Sequence, residues 1–210
     1  MLTQRMRSAL LLPTLAVCFS LAAPAQTDVA ASLYGAFTGT TNGNGTVQSP
    51  SNAAGVLIEL RHISNPLVGY EATYSYNRAN QSYSSATQVC PVGALPPCVI
   101  QAPVSIPADA HEITGDWIVS FGLANIKPFV LGGGGVIFHV PSYSSSTTST
   151  STEGVFVYGA GLDFGLLPHI GLRLQYRGNL YQAPDLTKLY TSTSAFTHTA
   201  EPMIGAYLRF

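Results

Sequence analysis

Charge is what this chain has least of. Only 9% of its 210 residues are Asp, Glu, Lys or Arg, against about 25% in an ordinary soluble domain. Hydrophobic residues make up 46%, so a water-facing surface would be short of polar groups to cover it. Either the outer surface meets lipid or the chain sits inside a larger assembly. A net charge of −1 leaves no electrostatic footprint for nucleic acid, which is not expected as a partner. Long apolar runs are lacking as well. Beyond the N-terminus no stretch approaches the roughly 18 apolar residues of a membrane helix. Cysteine occurs three times, and no two of His62, His111, His139, His169 and His198 have metal-ligand spacing. No metal, cofactor or catalytic residue is therefore assigned, and no Gly-x-Ser-x-Gly motif is present.

What is there begins with a secretory signal over residues 1–25. Arg5 and Arg7 form its positive end, 9–22 its apolar stretch, and Ala23-Pro24-Ala25 its cleavage site, with cleavage expected near Ala25. The apolar stretch, broken by Pro13, Thr14 and Ser20, is short for an uncleaved anchor. Cys18 follows Val17, where a lipoprotein signal needs a small residue, so lipidation is not expected. Residues 26–210 are then one domain. Only helices and closed barrels satisfy every backbone polar group in lipid, and a secreted chain without a membrane helix is left with the barrel.

Period-two alternation recurs in segments of about ten residues, the length a tilted strand needs to cross a bilayer. The segments are 28–38, 52–63, 67–77, 110–121, 127–140, 155–164, 170–181 and 197–210. In 170–181, for instance, Ile170, Leu172, Leu174 and Tyr176 oppose Arg173, Gln175, Arg177 and Asn179. Segment 127–140 is ambiguous in parity, because 132–135 is all glycine. The connections alternate in length. Long ones occupy 39–51, 78–109, 141–154 and 182–196; short ones surround Asn65-Pro66, 123–126 and 166–169. Outer-membrane barrels have short periplasmic turns and longer outside loops. The predicted fold class is all-β, an eight-stranded antiparallel up-and-down transmembrane β-barrel. A β-sandwich with a solvated charged face has the same periodicity; the signal, the loop rhythm and the low charge favour the barrel.

The charges sort accordingly. Glu59, Arg61, Glu71, Glu112, Asp116, Asp163, Arg173, Arg177, Glu201 and Arg209 fall on the proposed lumen face, as lipid demands: a lipid-facing Arg or Lys at the midplane costs about 2–4 kcal/mol. Register across the Asn65-Pro66 turn predicts Arg61 opposite Tyr70 and diagonal to Glu71. Arg173 and Arg177 are expected to partner Asp163 or Glu201. An eight-stranded lumen is just wide enough to be filled by side chains, so filling is expected over the alternative of a narrow polar pore. Cys90 and Cys98, in the longest loop, are expected to form a disulfide in an oxidising compartment. The 132–135 glycines read as a barrel bend rather than a phosphate loop, since no Lys-Ser/Thr follows. Residues 141–152, nearly all Ser and Thr, are expected to be mobile and are a candidate partner or glycosylation surface.

Three stretches carry a resemblance. Met203-Ile204-Gly205-Ala206-Tyr207-Leu208-Arg209-Phe210 looks like a barrel's terminal strand with a final Phe. Ile126-Lys127-Pro128-Phe129-Val130 leads into the glycine run, and Gly159-Ala160-Gly161-Leu162-Asp163-Phe164 follows as a Gly-rich strand. Together they resemble the OmpA/OmpX-like outer-membrane β-barrel family over about 27–210. That resemblance implies residence in the bacterial outer membrane, recognition of Phe210 by the barrel-assembly machinery, contact with outer-membrane lipid, and an extracellular partner met through the loops. No peptidoglycan-binding domain is expected after the barrel. The expected function is non-enzymatic, structural or binding through the loops. The alternatives are a low-conductance pore for small solutes and a lipid A-modifying hydrolase, for which only Ser194 and His198 offer a Ser/His pair.

Overall fold

The computed structural model describes residues 26–65, 67–86, 102–122 and 125–210. The strands are β1 (Gln26–Thr38), β2 (Thr41–Gly43), β3 (Thr46–Pro50), β4 (Ala53–Ile63), β5 (Val68–Ser85), β6 (Val104–Ser120), β7 (Ile126–Pro141), β8 (Ser151–Gly165), β9 (Ile170–Gln182) and β10 (Phe196–Arg209). The ladder runs β5-β4-β1-β10-β9-β8-β7-β6, and β6 pairs back onto β5, so the sheet closes on itself. All of these pairings are antiparallel. Eight strands thus form a closed barrel, and β2 and β3 are a hairpin added at its long-loop end.

Alternating burial along each strand separates two chemistries. In β1 the inward residues are Asp28, Ala30, Ser32, Tyr34 and Ala36, while Val29, Leu33 and Phe37 are exposed. In β9 Arg173, Gln175, Arg177 and Asn179 point in, and Leu172, Leu174 and Tyr176 point out. The exposed face is a belt of large apolar side chains, with Trp117 at 68% exposure. Such a surface needs a lipid solvent, because contiguous apolar area on this scale is not stable in water. The glycine-rich strand β7 resolves to Phe129, Leu131, Ile137 and His139 inward and Val130, Val136 and Val140 outward. Glycine is required there for close approach: a Cβ at Gly135 would lie 1.9 Å from the Ile113 carbonyl oxygen, and one at Gly133 would lie 2.2 Å from that of Gly115.

The short-turn end is tight. Asn65 Oδ1 accepts hydrogen bonds from the backbone N–H groups of Leu67 and Val68 at 3.0 and 2.8 Å. This local capping reverses the chain between β4 and β5. The long-loop end is more regular than the sequence reading allowed. Strand β5 continues to Ser85 and β6 begins at Val104, so both ends of the predicted 78–109 loop are strand, paired from Arg78↔Asp109 to Tyr83↔Val104. The 39–51 loop holds the β2–β3 hairpin, turned by Asn44 and Gly45 at φ 51° and 77°. Asn-Gly is the dipeptide best suited to that turn, so the signal was present in the sequence. Strand β3 then adds to the upper part of β5.

Candidate functional site

The lumen is occupied by charge. Arg61 donates from Nε and Nη2 to Glu71 Oε2 at 3.0 and 2.9 Å, and from Nη1 to Asp163 Oδ2 at 3.3 Å. Its guanidinium also lies 4.1 Å from the centre of the Phe129 ring. Arg173 grips Asp163 through Nε (2.7 Å) and Nη2 (2.9 Å) and reaches Glu59 through Nη1 (2.9 Å). Arg177 lies 3.3 Å from Asp116, 3.5 Å from Glu71 and 3.8 Å from Glu112, and donates to Thr114 Oγ1 at 3.0 Å. At the short-turn end Arg209 donates to Asp28 Oδ1 at 2.9 Å. Arg61, Arg173 and Arg177 are the largest fully buried side chains of the described residues. The bidentate fork of Arg173 on Asp163 suits arginine, whose planar guanidinium matches two carboxylate oxygens at once.

Sequence pattern and structure differ in several particulars. Arg61 stands directly opposite Glu71, and His62 is the residue opposite Tyr70; the turn is one residue longer than the expected register. Arg173 reaches Asp163, whereas Arg177 turns to Asp116, Glu71 and Glu112. Glu201 is opposite Arg177 in the β9–β10 ladder and buried. Its Oε2 has no hydrogen-bond partner among the described residues. Asp28 was not assigned to the network, although its place on the polar side of the first segment was sufficient to find it. A buried pair, His139 Nδ1 with Glu153 Oε2 at 3.0 Å, was hidden by the ambiguous parity of the glycine strand. The lumen is also less polar than the charge pattern alone suggests: Ile118, Phe129, Leu131, Ile137, Val155 and Val157 line one side of it. The secretory signal, Cys18, Cys90 and Cys98 lie outside the described residues.

Over this lumen the described parts of the long loops form a crown with a second core of Tyr83, Ile106, Ala108, Leu186 and Tyr190. The segment between β9 and β10 spans the mouth. On the far side of the barrel, Gln48 Nε2 and Tyr83 Oη both donate to the Pro184 carbonyl, at 3.0 and 2.8 Å. Asn44 Nδ2 donates to Ser192 O at 2.9 Å. The Ser/Thr-rich stretch expected to be mobile is pinned to the same segment: Lys188 N donates to Thr147 O at 2.9 Å, Ser149 N to Leu186 O at 3.2 Å, and Thr148 bridges Thr187. Backbone pairing fixes it where its side chains offer no apolar anchor. Beneath the crown is a cavity of about 20 Å³, room for about one water molecule. On the outer wall, the ring of His198 is engaged by Tyr158 Oη at 3.0 Å; this, rather than Ser194, is its hydrogen-bond partner. The hydrolase alternative therefore finds no support in the site.

A closed sheet with an apolar outer belt and a polar, filled interior defines a transmembrane β-barrel. The chain belongs to the outer membrane protein β-barrel domain family, which it matches over residues 10–199. Among solved structures it is similar to Neisserial surface protein A, at 14% identity and a TM-score of 0.55, covering 88% of this chain and 97% of that one. It is also similar to OprG of Pseudomonas aeruginosa, at 12% identity and a TM-score of 0.54, covering 88% and 95%. Ail, the attachment invasion locus protein of Yersinia pestis, shows 14% identity and a TM-score of 0.51, covering 88% and 98%. No match was found among curated protein sequences.

Proposed function

We propose that this protein is a non-enzymatic barrel of the bacterial outer membrane, closed to solutes, that acts by presenting its crown to a partner outside the cell. The carrying observation is the pairing of a blocked lumen with a crown that has its own core. Arg61, Arg173 and Arg177 are each 0–1% exposed, and the β9–β10 segment is fastened across the mouth above them. A conducting barrel needs a continuous water path, and among the described residues both layers stand across it. A passive scaffold, in turn, has no need of a crown built on buried Tyr83, Ile106 and Leu186.

The crown's surface favours one class of partner over another. Ail has been solved with the heparin analogue sucrose octasulfate, a polyanion. Here the long-loop end carries only Arg78 and Lys188 as cations, too few for polyanion binding, which relies on clustered positive charge. Its hydroxyl-rich strands suit a neutral partner met through hydrogen bonds and backbone edges. Phe210, 74% exposed at the end of the last strand, is available for the assembly machinery that the resemblance implies, and the apolar belt for outer-membrane lipid. The test is conductance in planar bilayers. The expected result is no stepwise current at moderate voltage. Discrete channels would overturn the closed-lumen reading and leave the pore alternative standing.

A further inference from the structure

The charges of the lumen do not balance. Asp28, Glu59, Glu71, Glu112, Asp116, Asp163 and Glu201 are all buried inside the barrel. Against them stand Arg61, Arg173, Arg177 and Arg209, with Lys127 half-buried at the short-turn end, where it donates to Gln26 Oε1 at 3.4 Å. The deficit of positive charge is concentrated at the crown end. Arg177 is already shared among Glu71, Asp116 and Glu112, and Glu201 beside it has no cation of its own. An uncompensated carboxylate in a low-dielectric interior is costly.

A second feature points to the same place independently of the acids. Asn179 is 1% exposed and donates from Nδ2 to Glu112 Oε2 at 2.9 Å. That bond fixes the amide's orientation and leaves Oδ1 as an acceptor with no partner among the described residues. Asn179 and Glu201 both line the cavity of about 20 Å³ beneath the crown, together with Thr38, Thr199 and Tyr181. The hydroxyls of these last three are bonded to one another, Thr199 to Thr38 at 2.8 Å and to Tyr181 at 2.9 Å. The cavity thus presents unpartnered oxygen atoms of Glu201 and Asn179 from the neighbouring strands β10 and β9, and space for one small species.

We propose that this cavity is a binding site for a single sodium-sized monovalent cation, held by Glu201 Oε2 and Asn179 Oδ1 with the Thr199 hydroxyl beside them. A divalent ion is a poor fit. Calcium takes six to eight oxygens and magnesium demands near-octahedral geometry, and no cluster of three His, Cys, Asp or Glu suited to a metal occurs among the described residues. Entry is from the long-loop side, where Ser51, Asn77 and Gln81 line the same cavity. The bound ion would tie β9 to β10 under the crown, whatever the crown itself binds.

The experiment is thermal unfolding of the detergent-refolded barrel in sodium chloride and in choline chloride at equal ionic strength. Choline is too large for the cavity. Sodium is expected to raise the midpoint by roughly 3 °C at saturation, as a ligand specific to the folded state does. The increment should vanish in Glu201→Gln. Should that variant fail to show the heat-dependent gel migration of a folded barrel, Ala36→Leu, which fills the cavity and leaves every charge in place, serves instead and should also abolish it. Equal midpoints in the two salts, with water or a proton then occupying the space, would overturn the site. So would a sodium increment that survives in a folded Glu201→Gln or Ala36→Leu barrel.

Discussion

Replacing Arg173 with Met is the sharpest test of the plugged lumen. The side chain is fully buried, and it holds two carboxylates through three hydrogen bonds of 2.7, 2.9 and 2.9 Å. Methionine of similar length keeps the packing and removes the charge. Asp163 would retain Arg61, 3.3 Å away. Glu59 would not be so placed: Arg173 is its ion-pair partner, and its other oxygen, Oε1, is already without a hydrogen bond among the described residues. Removing one partner of a buried pair costs about 3–5 kcal/mol because a charge is left uncompensated. About 3 kcal/mol already exceeds a hundredfold change in the folding equilibrium. The assay is urea unfolding of the barrel in lipid vesicles, followed by the fluorescence of Trp117, the chain's single tryptophan. Its ring faces outward, away from Arg173, so it reports insertion rather than the local change. The companion variant Arg173→Met/Glu59→Gln removes the stranded charge and should recover a large part of the loss. A cost below about 1 kcal/mol, the range of solvent-exposed ion pairs, would mean a hydrated lumen and would refute the reasoning.

Three further outcomes follow from the same geometry. Leu33→Arg, on the lipid face between the Asp28 and Phe37 ends of β1, should destabilise the barrel by about 2–4 kcal/mol in the same urea titration; a neutral result would mean that this face is not in hydrocarbon. Leu186→Ala empties the crown's core beside Tyr83 and Ile106 and should cost about 2–5 kcal/mol of local stability. It should be read as faster protease cleavage within 183–195, while the heat-dependent migration of the barrel is kept. Partial desolvation pushes the Asp185 carboxyl upward, on a residue that is otherwise exposed, and the backbone N–H of Thr187 opposes the shift. An acid whose folded pKa is raised stabilises the crown below its unfolded pKa, near 3.9, and loses that contribution as pH rises through the folded value. Crown protection should therefore fall as pH rises from about 4, and Asp185→Asn should flatten that dependence in the same protease assay.

Much of this protein was legible in its sequence because the information is local. A strand's two faces differ at every second residue, so Ile170, Leu172 and Leu174 against Arg173, Gln175 and Arg177 already separated an apolar face from a polar one. Loop lengths gave the up-and-down order, and the scarcity of charge supplied the reason for lipid. The Asn44-Gly45 turn and the inward place of Asp28 were equally local and could have been read. What the sequence could not determine is which inward residues meet. Arg61 and Asp163 are 102 residues apart, Arg173 and Glu59 are 114 apart, and their contact depends on the stagger accumulated around the whole closed sheet. Strand alternation is indifferent to that stagger. The same holds for the crown, where Tyr83, Pro184 and Gln48 converge from three loops with no shared pattern. Local periodicity chose the faces; closure of the barrel chose the partners, because only a closed sheet fixes every register at once.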